Sequence, residues 1–553
     1  VAKSVAIQRA YLPLILDLAR GEAREIFILI VYAFGIGLCT LSIPIAVQSL
    51  VNSVAFGTVF QPIVVISILL TGVLLISGVL RVLQLVATEI LQQRVIVRYA
   101  LYIGRMLPHV IVDEFNRRFG PEYVLRFLEV FNVQKLISLL LLDGIALAMQ
   151  LVIGLIIVSF YHPYFLAFAL CTVVLIFIVT YLLGYGGVSS ACSESSAKYD
   201  VVAWFQDLAT VPTIFKSYAG ERHALNRSDL LVSDYIEKRK KHFSILFRQN
   251  VGVIVVQILG NGALLLLGGK LVIDGKLTLG QLVSAEIIFS TVFSSITKLG
   301  KYIENFHDLC AGLDKLASLV QLPYESVGGD IHFESARGAQ VTIENLTVSS
   351  ETDNVLLLKN INLSIQSGEK MAIVGQGGSG KSVLAKLLYR LVTPTTGKVE
   401  VDGNLLSDIA PLDLRTSLEV IGDAEIFHGT ILENISAGNR VERTVVRSVL
   451  KDLGVLSSIE SLPEGLDTPL RGSWTPLSRA QVQLIMIARG IVAQSRLLVI
   501  DGTLDGLGDG VVEIVVATLK KLGANCTVVV LTKEVAIAAL LDRVIHLEDG
   551  AIV

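Results

Sequence analysis

Charge is what this sequence has least of. Only 17% of its 553 residues are Asp, Glu, Lys or Arg, against about 25% in a typical soluble domain. Hydrophobic residues make up 53%, and the mean hydropathy is +0.66. At roughly 100–200 residues per domain, this length allows three to five soluble domains, but the composition excludes a wholly soluble chain: a large part of it expects lipid. Cysteine is sparse as well. Cys39, Cys171, Cys192, Cys310 and Cys526 form no C-x-x-C pair and no metal-ligand spacing, which argues against a disulfide framework and leaves them as packing residues. Nothing in the charge pattern suggests nucleic-acid binding.

The net charge of -3 hides two unlike halves. Residues 1–330 hold 26 Lys and Arg against 23 Asp and Glu, and residues 331–553 hold 20 against 26. A slightly basic, apolar half followed by an acidic half of ordinary polarity reads as a membrane domain with a soluble domain attached. Residues 1–25 have no small-residue cleavage site and are expected to form an amphipathic helix at the cytoplasmic surface rather than a signal peptide.

A spanning helix needs about 20 mostly apolar residues, and six segments qualify: 26–51, 60–90, 134–160, 164–186, 248–271 and 280–298. Arg20, Arg24, Arg94, Arg98, Arg105, Lys238, Arg239, Lys240 and Lys241 lie in or before the long connections, which places those connections in the cytoplasm. The other connections are short, with Lys276 their only basic residue, and face outward. The long inner connections keep a helical period, so the spans are predicted to continue beyond the bilayer. Ionisable residues inside the spans are few, and Arg81, Asp143 and Glu286 are the ones to name. Such residues can line a pathway, but the expectation here is that Arg81 and Glu286 lie near helix ends or pair with one another. Without a row of buried charges, an ion-driven carrier has little support.

A linker is predicted over 321–338, and a soluble domain over 339–553. In it, the strand-like Met371-Ala372-Ile373-Val374 runs into Gly375-Gln376-Gly377-Gly378-Ser379-Gly380-Lys381-Ser382. The pattern G-x-x-x-x-G-K-[ST] is a P-loop: glycines let backbone N–H groups close around a phosphate, the lysine adds a point charge, and the serine hydroxyl reaches Mg2+. The helix that follows turns its positive end toward the same anion. A second candidate metal contact is Asp501, at the end of the apolar strand Leu497–Ile500.

Beyond the P-loop come Thr395 to Gly403, Phe427-His428-Gly429-Thr430-Ile431 to Ile435, Leu477-Ser478-Arg479-Ala480-Gln481 and Asp501. In order and spacing these resemble the nucleotide-binding domain of ABC transporters, specifically exporters. The six spans and the stretch Gly268 to Val283 are similar to the membrane half of the same family, and the likeness covers essentially the whole chain. Tyr161-His162-Pro163-Tyr164 resembles the type 1 secretion and bacteriocin-export branch, whose additional N-terminal cysteine-peptidase domain is not expected here. The resemblance implies an all-α six-helix membrane domain over 26–320, followed by an α/β P-loop NTPase domain of ABC type. It also implies ATP and Mg2+ as cofactors and a second half-transporter, identical or not, as partner. The setting it implies is a bacterial inner membrane, with lipid around the spans, the nucleotide-binding domain in the cytoplasm and an unidentified exported substrate.

Several positions depart from the family pattern. The glutamate that serves as general base after the Walker B aspartate is Gly502 here, and loss of such a base costs on the order of a hundredfold to ten-thousandfold. The switch histidine, 32 residues after Asp501, is Lys533. The Q-loop stretch Leu418–Phe427 has no glutamine, with Gly422 or Asp423 in its place. The signature Leu477–Gln481 has Arg479-Ala480-Gln481 where glycines stand in the family, and a Cβ hinders close backbone approach to a phosphate. The adenine-stacking aromatic falls at Ser350. Asp505 reads as a solvated loop residue, with replacement of the missing base as the sharper alternative. In a homodimer neither composite site would hold the glutamate. With an intact partner, one site would lack the base and the other would use this signature. The sequence therefore predicts an exporter half that binds Mg-ATP with impaired hydrolysis; the alternative is a nucleotide-gated regulatory or structural subunit without transport of its own.

Overall fold

The computed structural model describes residues 20–55, 60–117, 120–325, 331, 337–350, 355–422, 426–471 and 476–553. The predicted surface helix up to residue 19, linker residues 326–330 and 332–336, and Asp423 lie outside the described residues. The chain divides into two compact units. The first is Val1–Val110 with Glu114–Pro323, and the second is Ile111–Asp113 with Tyr324–Val553.

The first unit is helical. Among the described residues six segments are long and apolar enough to cross a membrane: Ala23–Val54, Gln61–His109, Glu122–Ser159, Pro163–Tyr181, Tyr218–Ile273 and Leu279–Val320. Each overlaps one of the predicted spans, and several overrun them. Gln61–Met106 has 46 residues and Tyr218–Ile273 has 56, which at 1.5 Å per residue is about 70 and 85 Å, far more than a hydrocarbon core of about 30 Å. The overhanging arms are polar and joined by ion pairs. Arg98 bonds Glu22 at 2.5 Å, Lys198 bonds Glu129 at 2.9 Å, and Arg239 bonds Glu194 at 2.7 Å.

The outer turns are written locally. Pro163 begins its helix where its missing N–H costs nothing, and His162 caps it by accepting from the Tyr164 N–H at 3.2 Å. Thr278 and Gln281 form a reciprocal capping box at the head of Leu279–Val320, satisfying two donors the helix leaves open. The first span breaks at Leu41, where Pro44 cannot donate back into the preceding turn.

Arg81 and Glu286 do not pair. Arg81 lies 20 residues into a helix that starts at Gln61, about 30 Å along it, whereas Glu286 lies only seven residues past Leu279, so the two belong to opposite sides of the bilayer. Arg81 is exposed, as expected of a side chain that snorkels to a headgroup region. Glu286 keeps one carboxylate oxygen buried without a hydrogen-bond partner.

The second unit is α/β. Its strands are β1 (Val341–Ser349), β2 (Leu356–Ile365), β3 (Lys370–Val374), β4 (Thr396–Val401), β5 (Asn404–Leu405), β6 (Leu418–Ile421), β7 (Gly429–Thr430), β8 (Pro469–Leu470), β9 (Leu497–Asp501), β10 (Thr527–Thr532), β11 (Arg543–Glu548) and β12 (Ala551–Ile552). A four-stranded sheet runs β2-β1-β4-β5, and a six-stranded sheet runs β12-β11-β3-β10-β9-β6. The strands from β11 to β6 are parallel, and the central β3, β9 and β10 are buried along almost their whole length and read as near-continuous apolar runs. Lys370 opens the buried strand β3, and its ammonium is satisfied by the carbonyls of Gly523 at 2.5 Å, Cys526 at 2.7 Å and Gly368 at 2.9 Å. Burial pulls its pKa below the ordinary lysine value.

Candidate functional site: a phosphate cradle at the carboxyl edge of the parallel sheet

Strand register assembles the site. β10 aligns Thr532 with Val374 of β3 and Leu531 with Asp501 of β9, and β6 aligns Ile421 with Ile500. The residues that follow these strand ends are therefore neighbours on one edge: Gly375 after β3, Gly502 after β9, Lys533 after β10 and Gly422 after β6. Ligands of open parallel sheets bind outside the carboxyl ends of the strands. Residues more than 150 positions apart in sequence meet here because parallel strands all point the same way.

The P-loop leaves β3 and enters the helix Lys381–Leu388. Gly380 caps that helix at φ 102°, and a Cβ there would lie 2.7 Å from Leu358 and 2.8 Å from the Leu357 carbonyl, so no side chain fits. Nothing lies within 4 Å of the Cβ positions of Gly377 and Gly378, which leaves the mouth of the loop open. The loop is braced from behind by the turn after β11: the Gly550 N–H donates to the Ser379 carbonyl at 3.2 Å, and the Gly550 carbonyl accepts from Lys359 at 2.7 Å. Lys381 Nζ arches over the loop, donating to the carbonyls of Gly375 (2.5 Å) and Gln376 (3.0 Å) and to Ser379 Oγ (3.3 Å). Burial lowers its pKa, while Asp501 and Asp505 act in the opposite direction. Ser382 stands exposed in the first helical turn. An open cradle of N–H groups, one partly desolvated ammonium and an adjacent hydroxyl fit a polyphosphate. A hydroxyl and a carboxylate, Ser382 and Asp501, fit the oxygen donors that Mg2+ prefers.

The opposite side of the edge is built differently. Gly502 has φ +65°, with open space where a Cβ would project. Its N–H donates to the Leu531 carbonyl at 2.9 Å, which fixes the turn in the left-handed region, where an L-residue is strained by about 1–2 kcal/mol. The next residue, Thr503, is buried and donates to the carbonyl of Gly422 at 2.9 Å. The Q-loop position is thereby tied to this turn through backbone rather than a glutamine side chain.

Asp505 is not a solvated loop residue. One carboxylate oxygen accepts from Thr532 Oγ1, and the other accepts from the Lys533 N–H at 3.2 Å. The reason is the register: the short helix Thr503–Gly506 carries Asp505 back over the end of the neighbouring strand. Spacing alone gave no sign of this clasp, since its partners are 27 and 28 residues away. The Lys533 side chain is exposed.

The segment Leu477–Gln481 lies on the helical part of the unit. Ser478 caps the helix Arg479–Val492 in a capping box with Gln481, and that helix packs into an apolar cluster with Ile431, Ile435, Val446 and Leu450. Arg479 is exposed in the first turn, Ala480 is half-buried, and Leu477 is anchored in the cluster. The first unit has a feature of its own, a cavity of about 1190 Å3 lined by residues including Tyr181, Tyr185, Ser190, Lys241, Tyr302 and His307.

A parallel sheet with a P-loop at its carboxyl edge, joined in one chain to six membrane-crossing helices, defines a membrane-bound nucleotide-binding protein. The profile of the family described as ABC transporter transmembrane region matches residues 26–296, and the ABC transporter profile matches residues 358–504. The chain belongs to the ABC transporters and has the organisation of an exporter half-transporter: a multi-pass membrane protein with a cytoplasmic nucleotide-binding domain.

Among curated proteins it is similar to the alpha-hemolysin translocation ATP-binding protein HlyB of Escherichia coli, 29% identical over 318 residues, covering 56% of this chain and 45% of that one. It is also similar to the leukotoxin translocation ATP-binding protein LktB of Mannheimia haemolytica, 27% identical over 361 residues, covering 64% of this chain and 50% of that one. The chain thus spans about half the length of the curated relatives it matches. Among solved structures, a bacterial Atm1-family ABC exporter with ATP bound shares the fold, with a TM-score of 0.83, 20% identity, and coverage of 96% and 95% of the two chains.

Proposed function

We propose that this chain is an exporter half that binds Mg-ATP, hydrolyses it slowly if at all, and uses nucleotide-driven closure with a second half-transporter to switch a membrane pathway. The observation that carries this reading is an open, fully equipped P-loop beside a Walker B turn whose base position is a glycine in the left-handed region. Lys381 and the loop N–H groups would hold the β- and γ-phosphates, and Ser382 and Asp501 would hold Mg2+. The metal supplies charge neutralisation of the phosphates when bound.

Water attack on the γ-phosphate requires positioning and electrostatic stabilisation above all. Lys381 provides a point charge, and Lys533, exposed at the switch position, can place a second one. No side chain at Gly502 can orient or deprotonate water. Asp505 is not free to replace it, because both of its oxygens hold the segment Thr532–Lys533. The signature Leu477–Gln481 would face a partner's nucleotide, with the Arg479 guanidinium in place of glycine N–H groups. The cavity of the first unit, walled by aromatic rings, hydroxyls and Lys241, is a space for the exported substrate. The likeness to translocators of protein toxins favours export from a bacterial cytoplasm across the inner membrane.

The test is ATP turnover by the purified chain in lipid nanodiscs beside Lys381→Ala, with nucleotide binding measured on the same samples. Binding that Lys381→Ala removes, with turnover at the background level, is the expected result. Robust turnover that Lys381→Ala abolishes overturns the impaired-hydrolysis reading.

A further inference from the structure

Beside the large cavity of the first unit, with Tyr302 in the wall of both, lies a second cavity of about 680 Å3. Four helical stretches enclose it: Glu129–Leu139, Gly187–Thr210, Tyr218–Ile273 and Leu279–Val320. The last contributes Lys298, Lys301, Asn305 and Asp308, which follow one another at intervals of three or four and so form a single stripe of the helix. Lys298 stands 19 residues past Leu279, about 29 Å along the axis and close to the thickness of a hydrocarbon core. The cavity therefore begins at the inner boundary of the membrane and continues down the cytoplasmic arms. Its ligand comes from the aqueous side.

The charges around this space do not balance. Lys135, Lys198, Arg239, Lys298 and Lys301 line it, against Glu129, Glu194 and Asp308. Three of the cations are already engaged: Lys198 with Glu129 at 2.9 Å, Arg239 with Glu194 at 2.7 Å, and Lys301 with Glu304 at 3.0 Å. Glu129 is satisfied further by Tyr199 Oη at 2.9 Å and Asn132 Nδ2 at 3.0 Å. Among the described residues Lys135 and Lys298 have neither an ion pair nor a hydrogen bond, although they come from different helices and line the same cavity. Asn305, buried in that wall, keeps its amide nitrogen without a hydrogen-bond partner. A buried donor left open is costly unless something accepts from it, and two cations lining one space repel one another until an anion joins them.

We propose that this second cavity binds a small organic polyanion, a molecule carrying two or more carboxylate or phosphate groups. Lys135 and Lys298 would take its charges, and Asn305 offers a neutral donor to one of its oxygens. The volume falls in the range of small-molecule sites, about 300–1,000 Å3, and is far more than a single inorganic ion fills. Asp308 marks the limit of the anionic end. It has no ion pair or hydrogen bond among the described residues, and it lies ten residues beyond Lys298, about 15 Å along the helix. A ligand whose negative charge extends that far is repelled. The site is independent of the P-loop, which belongs to the other unit.

The experiment uses the full chain carrying Lys381→Ala, so that the P-loop adds nothing to phosphate binding, in nanodiscs of zwitterionic lipid. Calorimetric titrations at fixed ionic strength compare citrate, fructose 1,6-bisphosphate and the uncharged triamide of citrate. The expected result is binding of at least one of the two anions and none of the triamide; which anion binds tells a carboxylate ligand from a phosphate one. Lys135→Gln and Lys298→Gln are each expected to weaken that binding about fivefold, the worth of one charge at about 4 Å even at the dielectric of water. Asp308→Asn is expected to tighten it about twofold. Changes of opposite sign cannot come from a general loss of folding. Absence of binding by both anions, equal binding of the triamide, or an affinity that the lysine variants leave unmoved overturns the proposal.

Discussion

The phosphate side and the water side of the same sheet edge make an instructive pair. Both are loops that leave parallel strands at one level, and both rely on a glycine with positive φ. On the phosphate side, Gly380 is a tight fit: the backbone of β2 occupies the space a side chain would need. On the water side, Gly502 looks into open space, and its conformation is fixed by one hydrogen bond to Leu531 and by the turn it starts. The first glycine is required by its neighbours, the second only by its own backbone.

Breaking the phosphate side should have the largest effect. Lys381→Ala removes a desolvated charge from a phosphate and is expected to cost about 2–5 kcal/mol of nucleotide affinity, read by titration calorimetry. Asp505→Ala strips two acceptors from Thr532 and Lys533. Hydrogen bonds to charged groups contribute about 1.5–3 kcal/mol, so the variant should melt earlier and bind nucleotide more weakly, as followed by thermal scans with and without ATP.

Gly502→Glu sharpens the comparison. The strain of a positive φ, about 1–2 kcal/mol, should lower the melting temperature, and turnover should remain well short of the hundredfold or greater gain that a positioned base supplies. A full recovery of turnover would show that the turn adapts freely. The smallest effect concerns pH. Burial holds the free Lys381 below the ordinary lysine value of 10.5, and a bound polyphosphate favours the charged form. Binding at alkaline pH must then take up a proton, so affinity falls as pH rises through the lowered pKa, by less than tenfold per pH unit. Calorimetry in two buffers of different ionisation enthalpy would detect the uptake.

Much of this architecture is legible in the sequence because it is written in local patterns. Twenty-residue apolar runs give the spans, and the G-x-x-x-x-G-K-S spacing gives the cradle. Pro163 and Thr278 mark helix starts without reference to anything distant. What escaped local reading depends on register. Asp505 reaches Thr532 only because β9 and β10 lie side by side, and nothing within four residues of Asp505 announces it. The separation of Arg81 from Glu286 follows from where each sits along its own helix, which apolar counting leaves open by several turns. The left-handed turn at Gly502 was equally hidden, since a glycine is compatible with either hand.

The Gly550 turn has a genetic consequence. Its N–H supports the Ser379 carbonyl and its carbonyl supports the Lys359 N–H, while a Cβ on it would press within 2.7 Å of Leu357, the same carbonyl that confines Gly380. In a saturation screen for nucleotide binding, position 550 should therefore score among the P-loop residues 375–382, although some 170 residues separate them. Suppressors of weak alleles at either place should be found at the other.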